Sequence, residues 1–197
     1  MNTVRKLALP SVLAIAAGLS TLSHADSSFV TGAGALNANA SLDFRIVIPK
    51  FIRFEVGTPT SGTVDLVEFD LTASAASVGS GTDIARTNGG VVPVRIQSNG
   101  GNISLVGTTT GGLTDGSESI SFAEILSSSS NAQLNAPTLV DNAASATVTV
   151  TPNVGTRVVN RTADWTFAYS NTNFVAAGTY GGVNVNNGRV VYTASLP

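Results

Sequence analysis

Cysteine is absent from all 197 residues, and histidine, methionine and tryptophan occur once each, as His24, Met1 and Trp165. Without cysteine there is no disulfide, no thiolate nucleophile and no sulfur-ligated metal, so a folded state has to rest on a buried core. Charge is sparse too, at 11% of the chain. The first 25 residues sharpen these absences. A basic start carrying Arg5 and Lys6 is followed by an apolar run from Leu7 to Leu19 and a polar stretch ending Ser23-His24-Ala25. This is the three-part pattern of a secretory signal peptide. Its apolar run is 13 residues, short of the roughly 20 that span a bilayer. We therefore expect residues 1–25 to be removed on export and the mature chain to start at Asp26.

Removal of that leader takes away the only histidine. The remaining 172 residues carry eight basic and twelve acidic side chains, a net charge of −4, with Lys50 the single lysine. Nucleic acid and anionic lipid both call for clustered Lys and Arg, so neither is expected as a partner. No later stretch has the uninterrupted apolar length of a transmembrane helix. Without histidine or cysteine there is no Ser-His-Asp or Cys-His nucleophile, no ordinary zinc or copper site and no imidazole base. The expectation is a non-enzyme with no catalytic, cofactor-binding or metal residues and no cofactor. Two loose groups of acids could be asked to hold calcium: Asp65, Glu68 and Asp70, and Asp115 with Glu118. Neither has the spacing of a calcium loop, and solvated carboxylates are the plainer reading.

What is present is two-residue periodicity. Leu42, Phe44, Ile46 and Ile48 alternate with Ser41, Asp43, Arg45 and Val47, and Phe51–Val56 follows after Pro49. Val64–Leu71 alternates with a one-residue slip that predicts a bulge. Further strands are expected at Val91–Gln97, Ile103–Val106, Ile120–Ile125, around Ala146–Val150, through Trp165–Tyr169 and at Gly188–Leu196. Gly107–Ser119 and Ser127–Ala136 are rich in Gly, Ser, Thr and Asn and read as loops. Trp165, Phe167 and Tyr169 share one face and are the expected aromatic row of the core. About eight to ten short strands separated by turn signals predict an all-β fold, an antiparallel β-sandwich of Ig-like type. A membrane barrel would need aromatic girdles, which one Trp and three Tyr do not supply. The expected organisation is a signal peptide over residues 1–25, a flexible extension over 26–40 and one sandwich domain over 41–197.

The leader, the alternating first strand, the many short Thr- and Gly-rich strands, and the ending Gly178-Thr179-Tyr180 … Val190-Val191-Tyr192-Thr193-Ala194 together resemble the secreted Ig-like subunits of bacterial surface fibres, the chaperone-usher pilins and their uncharacterised relatives. The resemblance implies export in a Gram-negative bacterium, to periplasm, cell surface or medium. It also implies a fimbria-like structural role, with sibling subunits or a periplasmic chaperone as partners. In that family an N-terminal extension adds a strand to the next subunit. The candidate extension here carries Phe29, Val30, Ala33, Ala35 and Leu36, interrupted by Gly32 and Gly34. A self-contained monomeric sandwich that binds carbohydrate or a surface polymer, through exposed aromatics or the two long loops, stays open beside it.

Overall fold

The computed structural model describes residues 26–59 and 64–197, and the leader assigned to residues 1–25 lies outside them. The chain divides into two units at Ile48/Pro49. In the first, residues 26–48 carry no strand pairing, bend at residues 33–34 and are exposed throughout. Alternation alone predicts a strand over Leu42–Ile48, but a strand exists only where a neighbour accepts its backbone hydrogen bonds, and this stretch has none.

The second unit is all-β, with ten strands among the described residues. They are β1 (Ile52–Val56), β2 (Ile84–Ala85), β3 (Val92–Ser98), β4 (Ile103–Thr108), β5 (Leu113–Thr114), β6 (Ser119–Ile120), β7 (Ile125–Ser129), β8 (Val148–Val150), β9 (Val159–Tyr169) and β10 (Val191–Ser195). Short 3-10 turns at Thr72–Ser77 and Phe122–Glu124 are the helical segments among the described residues. Every pairing is antiparallel. The larger sheet runs β1-β3-β9, with β7 on the far side of β9 and β2 beside the end of β9. The smaller sheet runs β10-β4-β8, and β5-β6 forms a separate hairpin.

The register explains the core. On β3, Val92, Val94, Ile96 and Ser98 are buried and alternate with Pro93, Arg95 and Gln97. Across from them on β9, Val92 meets Trp165, Val94 meets Ala163 and Ser98 meets Val159. From the smaller sheet come Ile103, Leu105 and Val150, all fully enclosed, with Leu134 and Leu139 filling in from the loops. Trp165, Phe167 and Tyr169 lie in this core, and the Trp165 indole nitrogen donates to the Leu134 carbonyl at 2.9 Å. The two sheets thus bury one shared set of apolar side chains, the arrangement of a β-sandwich.

Four stretches of the sandwich differ from their expected form, the first being Gly107–Ser119, which holds the end of β4, all of β5 and the start of β6 where a loop is expected. Val64–Leu71 forms no ladder; its carbonyls at Leu66 and Glu68 are taken by Arg86, Asn88 and Thr87 instead. Only Val67, Phe69 and Leu71 of this stretch turn toward the core. Ile120–Ile125 is broken by the Phe122–Glu124 turn, whose lead residue Ser121 caps the Ala123 amide. The serine run that follows is strand β7, because its backbone meets β9 from Ile125–Tyr169 to Ser129–Trp165.

Candidate functional site

The acidic groups are occupied one by one. Asp65 accepts from the Thr58 amide at 2.8 Å, and Asp70 accepts from the Thr72 amide at 2.8 Å, which holds its pKa below the ordinary value. Asp115 accepts from the amides of Glu118 and Ser117, and its pKa is lowered by those two bonds. Glu118 turns to the Ala176 amide at 3.1 Å. Glu124 accepts from the hydroxyls of Ser170 and Thr172 and the Asn173 amide, and the Ser170 bond leads in lowering its pKa. Each of these five carboxylates ties a turn or loop to its neighbour, whereas Glu68 is exposed and enters only through its backbone. No three acids converge among the described residues.

Aromatic binding surfaces fare no better. Trp165 and Tyr169 are buried, so a sugar-stacking platform built on them is not available. Tyr180 uses its hydroxyl to donate to the Ala176 carbonyl four residues back, at 2.9 Å, and so ties a corner. A hollow of about 330 Å³ on the outer face of the larger sheet is lined by Glu55, Arg95, Ser130, Thr162 and Asp164 and has no aromatic wall.

On one side of the sandwich β1 and β10 form the outer edges of the two sheets. Their inward positions follow from register: Ile52, Phe54 and Val56 lie opposite Ser98, Ile96 and Val94, and Tyr192 and Ala194 lie opposite Gly107 and Leu105. Those β3 and β4 residues, Ser98, Ile96, Val94, Gly107 and Leu105, are all buried. Their neighbours on the edge strands stay half-exposed, as do Val190 and Leu196 in phase with them. The two edges converge where the Lys50 amine donates to the Pro197 carbonyl at 3.0 Å. There Gly100 sits so near Lys50 and Leu196 that a Cβ would stand 2.5 and 3.0 Å from their side chains. The start of β1 therefore lies at the end of β10, so these two edges run in opposite directions. An apolar flank bordered by two strand edges can take a further strand: the backbone supplies the bonds and the half-covered side chains supply the pockets.

The five extension residues Phe29, Val30, Ala33, Ala35 and Leu36 lie in the exposed, unpaired stretch. Closer to the sandwich in sequence, Leu42, Phe44, Ile46 and Ile48 are 76, 86, 85 and 74% exposed. The unpaired stretch thus continues past residue 40 to Ile48.

The chain matches no known protein-family model, no curated protein and no solved structure. Among the described residues no helix is long and apolar enough to cross a membrane.

Proposed function

We propose that this chain is an exported, non-catalytic structural subunit of a fimbria-like surface assembly, and that it works by accepting a strand along its β1/β10 flank. The observation that carries this reading is the half-exposure of Phe54, Val56, Tyr192, Ala194 and Leu196, inward-facing residues whose neighbours one strand further in are sealed. A sandwich lacking a strand leaves that signature, since the edge side chains wait for cover from a partner. The Tyr180 corner supports an Ig-like reading, where a tyrosine near a strand corner bonds backbone a few residues upstream. The resemblance of the ending to pilin subunits points the same way. The separate engagement of Asp65, Asp70, Asp115 and Glu124 supports a structural role for these acids.

The test is association. The chain is recovered after export and followed by sedimentation across concentration, alone and with a periplasmic chaperone or a sibling subunit from its own genomic neighbourhood. Concentration-dependent assembly or stable pairing is expected. A strictly monomeric protein that pairs with neither overturns the reading.

A further inference from the structure

We infer that one end of the sandwich, formed by the start of β1, the β3–β4 turn, the β8–β9 loop and the end of β10, docks on the headgroup layer of an anionic membrane. This goes beyond the strand-accepting flank, which runs along the side of the sandwich, and does not rest on it.

Topology builds this end from distant segments. Strand β1 begins opposite Ser98 at the end of β3, and β9 begins opposite the same residue; β8 ends opposite Ile103 and β10 ends opposite Ser104. The β3–β4 turn ties them together. Asn99 donates to the Pro49 carbonyl at 2.7 Å and accepts from the Phe51 amide at 2.9 Å, while the Gly101 amide donates to the Arg157 carbonyl at 3.0 Å. Lys50 and Arg53 thereby come to the same end as Arg157 and Arg161, more than a hundred residues later in the chain.

Charge is sorted along the strand axis. Residues 49–54, 96–104, 149–162 and 195–197, which make up this end, hold those four bases and no acid. Glu55 lies one residue beyond that limit and pairs with Arg53 at 2.6 Å. The Lys50 amine donates to the Pro197 carbonyl, and Arg161 donates to neutral acceptors, the Asn153 side chain and the backbone carbonyls of Asn160 and Thr151. Arg157 is exposed. Lys50, Arg157 and Arg161 thus have no acidic counter-charge in contact among the described residues. At the opposite end, where β1, β4 and β9 finish, lie eight of the ten acids of residues 49–197, Asp83, Asp115, Glu118 and Glu124 among them, offset by Arg86 and Arg189. Scattered along the chain, the four bases gave no reason to expect an anionic lipid partner; gathered by the fold into one positive end, they do.

The apolar share of the same end selects a membrane over a soluble polyanion. Val154, at the turn of the β8–β9 loop, is 102% exposed, and Phe51 and Val158 are 50 and 44% exposed. Phe51 follows Lys50 directly, and Val158 follows Arg157. An acidic polymer in water would use the bases and leave these side chains uncovered. A lipid surface uses both, since apolar side chains enter the acyl boundary while the bases hold the anionic headgroups.

The test follows the exported chain by sedimentation with vesicles. Binding to vesicles rich in phosphatidylglycerol, and not to vesicles of phosphatidylcholine alone, is expected, and it should weaken as salt is added. Arg53→Gln with Arg157→Gln should lower the affinity about 25-fold, or roughly fivefold per base, while Asp83→Asn at the opposite end leaves it unchanged. The absence of cysteine permits a second reading that lost folding does not imitate: a polarity-sensitive dye on Val154→Cys should shift to the blue on the anionic vesicles, and the same dye on Asp83→Cys should not. Polygalacturonate serves as the soluble polyanion. Four results overturn the inference: no binding to the anionic vesicles, binding that the paired arginine variant leaves unchanged, equal dye shifts at the two positions, or polygalacturonate bound as tightly as the vesicles with no dye shift at Val154, which would make the ligand an acidic polysaccharide. Association through the flank is measured without vesicles, so each reading can fail alone.

Discussion

The indole of Trp165 lies 5.2 Å from the ring of Tyr192 at a tilt of 58°, joining the middle of the larger sheet to the exposed edge of the smaller one. Trp165 is completely enclosed and Tyr192 half-covered, so one ring belongs to the sealed core and the other to the flank. Stability of the core and the state of the flank are therefore read by the same pair.

Replacement of Trp165 by Ala removes the largest enclosed side chain and is expected to cost about 3–5 kcal/mol. Trp165→Phe keeps an aromatic ring but leaves the Leu134 carbonyl without its donor, a loss of about 1–3 kcal/mol. Denaturant midpoints for the three proteins should fall in that order. A Phe variant as stable as the parent would mean that the Leu134 bond contributes nothing measurable.

A second prediction concerns Asn171, enclosed and at φ +52° just after β9. Its carbonyl oxygen accepts from the Gly79 amide at 2.9 Å, and its amide nitrogen donates to the Ser77 carbonyl at 2.7 Å, so it fixes the Ser77–Thr82 loop to the strand end. Asn171→Ala strands these loop groups and places an alanine in the left-handed region, for about 2–4 kcal/mol. Asn171→Gly loses the same bonds but fits the backbone, and should recover roughly 1 kcal/mol of that. Equal stability of the two variants would show that the positive φ carries no cost here.

These two residues also mark where the sequence is readable. Strands β3, β4, β8 and β10 are legible because apolar inward residues recur at every second position, with Arg95, Ser104, Thr149 and Thr193 among the residues between them. Beta 9 is legible only over Trp165–Tyr169; its earlier half, Val159–Asp164, buries just Val159 and Ala163, and so small an inward set leaves little periodic contrast. Strand β7 is hidden by its serines, since pairing to β9 is a backbone matter that composition does not announce. The bonds of Asn171 reach back some 90 residues, a distance at which no local pattern helps. The flank is of the same kind. Alternation identifies which side chains of β1 and β10 face inward, but only the strand order shows that these two are outer strands among the described residues.

Proton linkage should narrow stability from both sides. The pKa of Glu124 is lowered mainly by the Ser170 hydroxyl and then by Thr172. Its stabilisation is complete above the unfolded value near pH 4.3 and is lost as pH falls through the lowered folded value. Asp70 and Asp115 act in the same direction. At the alkaline end, burial raises the pKa of Tyr192. The unfolded chain then releases the phenolic proton first, so stability falls as pH rises above about 10. Midpoints measured from pH 3 to 11 should fall at both extremes. Glu124→Gln should flatten the acid limb and Tyr192→Phe the alkaline limb, and a variant whose profile merely shifts in parallel with the parent removes that residue from the account.

The last prediction tests the approach to β10. Gly188 packs directly on the backbone of Gly182, and a Cβ at Gly188 would collide with the Gly182 nitrogen and oxygen. Backbone atoms cannot swing aside as a flexible side chain can, so the Gly181–Gly188 loop must open to admit a methyl group. That loop is pinned by the Gly181 amide on the Thr114 carbonyl at 3.0 Å and by the Gly188 amide on the Val185 carbonyl at 2.8 Å. Three residues after Gly188, strand β10 begins. Gly188→Ala should therefore destabilise by about 1–3 kcal/mol and should speed hydrogen exchange at the β10 amides more than at those of β3. Gly116→Ala provides the contrast: its Cβ would meet open space, but its φ of +101° charges the backbone alone. If both variants lose stability while only Gly188→Ala loosens β10, the close approach at Gly182 is what sets the edge of the flank in place. If exchange in β10 is unchanged, the edge is held by its ladder with β4 and the loop is independent of it.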